Sequence, residues 1–150
     1  IKNPDTGQIV RAGVALGTTT NVSHWPDIVS LMLLQNGVNL FDPKPQSVID
    51  ALTFYTLFTT TDKTWDSTMP ESITAFASEK VAMILAPSWR AVEIQALNPA
   101  LTWQTASVPQ LPDTPAVSWA SIWFEAVPKN APNYQEAWQF LLETFGVSAK

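Results

Sequence analysis

The chain has 150 residues, 46% apolar and 14% charged, enough for one globular domain that buries roughly 70% of the surface its unfolded form exposes. A net charge of -5, a pI near 4.6 and only eight scattered Lys and Arg exclude a nucleic-acid binder, which needs clustered cations to neutralise phosphates. The absence of cysteine excludes disulfides, thiol nucleophiles and thiolate metal sites, and no apolar run reaches the ~20 residues of a membrane-crossing helix.

In chain order, Asn3-Pro4-Asp5-Thr6-Gly7 is a turn cluster, and Ile9 to Leu16 has strand character with Gly13 and Gly17 allowing a bend. A polar loop follows to Ser23, in which Asn21-Val22-Ser23 matches a glycosylation sequon, a three-residue pattern too common to carry weight. A helix is predicted from about Trp25 to Asn36: Pro26 suits its first turn, Asp27 favours its dipole, and Asn36-Gly37 stops it. Ser47 to about Phe58 forms a second helix, with Val48, Leu52 and Tyr55 as its apolar stripe. Trp65 sits between Thr64 and Asp66 in a polar loop and is read as exposed or as a ligand contact. Thr68-Met69-Pro70-Glu71 has capping-box spacing for a short helix carrying Ile73, Phe76 and Ala77 inward.

Val81 to Ala86 is a continuous apolar run between Glu79-Lys80 and Pro87, the pattern of a strand buried on both faces. Pro87 breaks it, Ser88 is a good N-cap, and Trp89 to Leu97 winds into a helix that Asn98-Pro99 ends. Leu101 to Val108, with Trp103, alternates like a strand. Val117 to Val127 reads as one interrupted strand or two short ones beyond a Pro-rich turn. The last helix, Asn133 to about Phe145, carries a stripe of Tyr134, Trp138, Leu141 and Phe145 expected to pack on the sheet, and Gly146 stops it. Alternating helices and strands predict an α/β fold, a layered sheet with flanking helices.

Catalytic chemistry is thin. One histidine, His24, and no cysteine leave no transition-metal cluster, and no Gly-x-Ser-x-Gly elbow or Gly-rich phosphate loop is present. Glu93 and Glu125 make a glycosidase pair only on paper, since one lies in a helix and the other in an apolar strand. The chain is therefore read as non-catalytic, with no cofactor and no metal. What remains is seven Trp against two Tyr, together with small polar groups at turns. Large indoles are rarely buried whole, and their faces cover the C–H faces of sugars while Asn, Ser, Arg and His reach the hydroxyl edges. In open α/β sheets ligands collect where a strand ends and a helix begins, which is the place of Ser88, Trp89 and Arg90.

The ordered segments Phe76 to Trp89 (FASEKVAMILAPSW), His24 to Gly37 (HWPDIVSLMLLQNG), Val108 to Pro112 (VPQLP) and Val127 to Leu142 (VPKNAPNYQEAWQFLL) resemble the extracellular solute-binding proteins of ABC sugar importers. The resemblance implies one lobe of a type II clamshell like that of the periplasmic binding proteins: residues 1–150 would be mainly the C-terminal lobe, with the first lobe and closing helices absent. The opening at Ile1 fits such a piece. It implies an oligosaccharide ligand, membrane subunits of an ABC transporter as partners, a monomer, and an extracytoplasmic location, periplasmic or as a cell-surface lipoprotein. Ligand contacts carry over best to Trp89 and, with less support, to Ser88, Trp119 through Ser121, and Asn21 through His24; Arg90 and Trp65 join them from their own positions. Two departures stand out: Glu79 occupies a place where the family usually has Gly, and Trp119 and Ser121 stand where many members carry glycines. The alternatives are a lectin-like or protein-interaction module using the same Trp residues and, less favoured, a carbohydrate-active enzyme.

Overall fold

The computed structural model describes residues 1–112 and 114–146. They fall into two compact units, Ile1–Trp119 and a second that begins at Ala120.

In the first unit two short strands, β1 (Ala12–Val14) and β2 (Val81–Met83), pair in parallel with Ala12 opposite Val81 and Val14 opposite Met83. The ladder is extended by the Ala12 N–H donating to Lys80 O at 2.8 Å and the Ala15 N–H to Met83 O at 3.2 Å. Parallel strands need a long crossover, and here it contains three helices: α1 (Trp25–Gln35), α2 (Pro45–Thr60) and α3 (Ser72–Ala77). α4 (Arg90–Leu97) follows β2. The core lies where these converge, with Ala12, Leu16, Val22, Ile28, Tyr55, Trp65, Met69, Ala75 and Val81 in one cluster.

Local sequence explains most element ends. Gly37 takes φ 72° after α1, so that its N–H reaches Leu34 O and the Val38 N–H reaches Leu33 O, both at 3.0 Å, a Schellman stop sealed by buried Val38. Glu71, not Thr68, caps α3: its carboxylate accepts from the Ile73 and Thr74 N–H groups at 3.0 and 3.1 Å. Ser88 does not cap α4. The chain enters that helix through tight i to i+3 turns, Arg90 N–H to Pro87 O and Ala91 N–H to Ser88 O, so Trp89 is the boundary residue and the Ser88 hydroxyl makes no capping bond.

Several expectations require correction. On α2 the inward stripe is Val48, Ala51, Tyr55 and Phe58; Leu52 lies outside it and is exposed. β2 is not buried on both faces, for Val81 is sealed while Met83 is 60% exposed. A strand is covered on both sides only when neighbours flank and blanket it, and β2 has β1 on one edge alone. Beyond it opens a largely apolar cleft of about 950 Å³ bordered by Met83, Phe54, Phe58 and Trp103. Neither 101–108 nor 117–127 forms a strand among the described residues, so the layered sheet is reduced to a two-stranded one with helices around it.

The second unit holds α5 (Tyr134–Phe145), ended by Gly146 at φ 63°. The expected stripe is present, with Tyr134 and Trp138 in edge-to-face contact, but no residue of α5 is buried.

Candidate functional site

The loop after β1 and the start of α4 bring together residues far apart in sequence. His24 precedes α1 with φ 59°, a left-handed conformation that costs a non-glycine residue roughly 1 kcal/mol and that directs its ring toward α4. There the Arg90 Nε–H donates to His24 Nε2 at 2.8 Å. Nε2 must then carry the lone pair, so the neutral ring holds its proton on Nδ1, which faces Asp27 Oδ2 at 3.3 Å. The other oxygen of Asp27 accepts from the Trp119 indole N–H at 2.8 Å. On the far side Arg90 pairs with Glu93 one turn along α4. The Trp89 ring meets His24 edge to face, centroids 5.9 Å apart.

A continuous chain therefore runs Trp119, Asp27, His24, Arg90, Glu93, with Trp89 beside its centre. Both indoles keep open faces: Trp89 is 49% and Trp119 39% exposed, and Trp25 at the head of α1 is exposed as well. Two carboxylates, one guanidinium and a neutral imidazole lie next to them, a mixture that suits a hydroxylated solute with an apolar face.

The expected residues do not form one site. His24, Trp89, Arg90 and Trp119 come together as described. Ser88 is exposed beside them and borders the apolar cleft, as does Arg90, whereas neither indole lines that cleft. The cleft walls are largely apolar and are formed in good part by the irregular segment 101–111, whereas the ring cluster combines exposed indoles with donors and acceptors and is the better recognition surface. Ser121 belongs to the second unit, where it is exposed.

Asn21 and Trp65 form a different construction. Trp65 has no exposed surface, which corrects its reading as an exposed ring. Its indole N–H donates to Asn21 Oδ1 at 3.0 Å, an oxygen that also accepts from the Thr18 hydroxyl. The Asn21 amide donates to Asp66 O and Met69 O, each at 2.9 Å. Every polar atom of that side chain is committed, so none is left for a solute. Close by, the Tyr55 hydroxyl donates to Thr18 O at 2.7 Å, and burial pushes its pKa up to about 12, partly opposed by a backbone contact from Gly17.

Asp27 and Glu93 are the site residues that sequence reasoning missed. The sequence marks Asp27 as favourable to the helix dipole and offers Glu93 only as half of a glycosidase pair that its helical position disfavours, yet His24–Asp27 and Arg90–Glu93 share the i, i+3 spacing that places opposite partners side by side. Glu93 is held by Arg90 and is no free general acid. Among the described residues no group of three His, Asp or Glu side chains is arranged to hold a metal.

No curated protein and no solved structure gives a significant match to the chain. The family described as bacterial extracellular solute-binding protein matches residues 8–149.

Proposed function

The chain belongs to the bacterial extracellular solute-binding proteins, extracytoplasmic and generally non-catalytic receptors of ABC transporters, and from that premise we propose that its solute is a carbohydrate, held by Trp89 and Trp119. The observation that carries this reading is a pair of part-exposed indoles at one chain of side chains: Trp119 is hydrogen-bonded to Asp27, which joins His24 and Arg90, and Trp89 packs edge to face on His24. Ring faces cover the C–H side of a sugar, and the flanking Arg90, Asp27, Glu93 and Ser88 groups meet its hydroxyls. Asn21 and Trp65 hold the loop that leads to His24, and Ser121 is proposed as a further contact on the basis of family likeness.

In this reading residues 1–150 are mainly the C-terminal lobe of a clamshell that closes on its solute as a monomer, anchored or free outside the cytoplasm, and delivers it to the membrane subunits of an importer. Closure supplies contacts that one lobe lacks, so an isolated lobe binds weakly.

The test is intrinsic Trp fluorescence in a titration against an oligosaccharide library, with Trp89→Ala and Trp119→Ala compared with the parent. A ring buried against a sugar face contributes about 1.5–3 kcal/mol, so each variant is expected to lose roughly ten- to 150-fold in affinity with an unchanged circular dichroism spectrum. A sugar response that survives Trp89→Ala undiminished rejects Trp89 as the contact. A response to amines or peptides alone rejects the carbohydrate.

A further inference from the structure

We propose that Asp27 is a positioning residue whose grip on Trp119 is coupled through His24 to Arg90, so that protonation of His24 loosens the arm carrying Trp119 and resets the recognition surface. For the solute this rests on the reading of Trp89 and Trp119 given above; for the coupling it rests on geometry alone.

Trp119 lies in a segment outside any helix or strand, and its indole N–H bond to Asp27 Oδ1, across 92 residues of sequence, ties it to the start of α1. The second oxygen of Asp27 faces His24 Nδ1, and His24 Nε2 receives the Arg90 Nε–H. The polarity of this chain is fixed throughout. Arg90 has only donors, so His24 must accept at Nε2; it then has one proton, on Nδ1, and Asp27 must accept it. A second proton on His24 ends that arrangement. Nε2 becomes a donor facing the donor of Arg90, two cations stand in contact, and the imidazolium draws the Asp27 carboxylate toward itself and away from the indole.

The charged groups around His24 are Asp27 on α1 and Arg90 with Glu93 on α4, while Glu71, the α3 cap, holds the hydroxyl of neighbouring Ser23. Glu93 already holds Arg90 through its Nη1, so Arg90 keeps a partner when the bond to His24 is lost. Backbone strain at His24 is a separate sign that this ring is held in place by its surroundings.

The experiment uses the protein without any sugar. Long-range 15N–1H spectra report the His24 tautomer, and the indole N–H resonance of Trp119, assigned with Trp119→Phe, is followed from pH 8 to 5.5. The expected result is an Nδ1–H tautomer at pH 8 and a Trp119 resonance that moves with the same midpoint as His24. Asp27→Asn leaves one acceptor oxygen in place of two, so the bonds to His24 and to the Trp119 indole can no longer both be kept, and the Trp119 resonance is expected to lose its dependence on His24. His24→Asn, a residue that tolerates the left-handed backbone, is expected to abolish the titration of Trp119 in this range. A Trp119 resonance that stays flat while His24 titrates, or one that still follows His24 in Asp27→Asn, overturns the proposal. Because no sugar is present, a failed sugar titration leaves this result standing and rejects only the carbohydrate reading.

Discussion

Asn21 shows how one side chain closes a core. Its amide donates to two carbonyls of the 66–69 turn and its oxygen accepts from Trp65 and Thr18, while its own carbonyl accepts from the Ser72 N–H at 2.9 Å. The same commitment explains why a sequon match at Asn21 has no chemical reality in the folded protein, since the nitrogen that a glycan would join is buried and bonded. The burial of Trp65 was not legible in the sequence. Its neighbours Thr64 and Asp66 are polar, and what covers it arrives from a loop 44 residues away. Tyr55 lies under the same loop, and its depressed acidity has a measurable consequence. Its folded pKa of about 12 exceeds the unfolded value of 10.0, so its stabilising contribution is complete below pH 10 and disappears as pH rises toward 12. The loss amounts to about 2–3 kcal/mol at the upper end. Tyr55→Phe is expected to cost about 1 kcal/mol at pH 7, from the bond to Thr18, and to flatten the decline between pH 10 and 12 relative to the parent. Urea unfolding of both proteins across pH 7–12 checks this; parallel profiles contradict it.

Among elements, the passage from α3 to β2 depends most on local chemistry. Ser78 ends the helix, the Glu79 N–H returns to Phe76 O at 3.0 Å, and the Lys80 N–H returns to Ala75 O at 2.8 Å. That Schellman turn requires a left-handed residue, and Glu79 supplies it at φ 61° with a side chain attached. The sequence resemblance already marked this position as one where glycine is usual. Glu79→Gly is expected to stabilise the protein by about 1 kcal/mol in thermal or urea unfolding, and destabilisation shows that the carboxylate makes a contact worth more than the strain. Helix positions were read well because stop signals and apolar spacing act within a few residues, as at Gly37 and along Ile28 and Leu31 of α1, whereas the caps of α3 and α4 and the place of Leu52 on α2 were not. The expected strands at 101–108 and 117–127 were not, because alternation shows only that a segment suits a half-covered ladder, and a ladder needs a partner that local sequence does not provide. In the site the same limit holds: His24–Asp27 and Arg90–Glu93 were readable as spacings, whereas the bond joining the two pairs spans 66 residues.

At the scale of the molecule, the family and its extracytoplasmic setting fit a chain in which, among the described residues, no helix is long and apolar enough to cross a membrane. The central pairing is parallel and remote: Ala12 finds Val81 only after three helices are gathered, and the Tyr55–Thr18 and Asn21–Met69 bonds close loops of 37 and 48 residues in the same step. Loop-closure entropy is met before these contacts form, so refolding after dilution from urea is expected in about milliseconds to seconds. Stopped-flow fluorescence of buried Trp65 reads it, and a microsecond phase carrying the full amplitude counters the expectation. The distance between the two strands also bears on biogenesis. Until a ribosome or a translocation channel has released residue 83, the segment Ala12–Val14 has nothing to zip against. The stretch from β1 to β2 thus stays threadable until then, which suits a protein whose working place lies on the other side of a membrane from its synthesis.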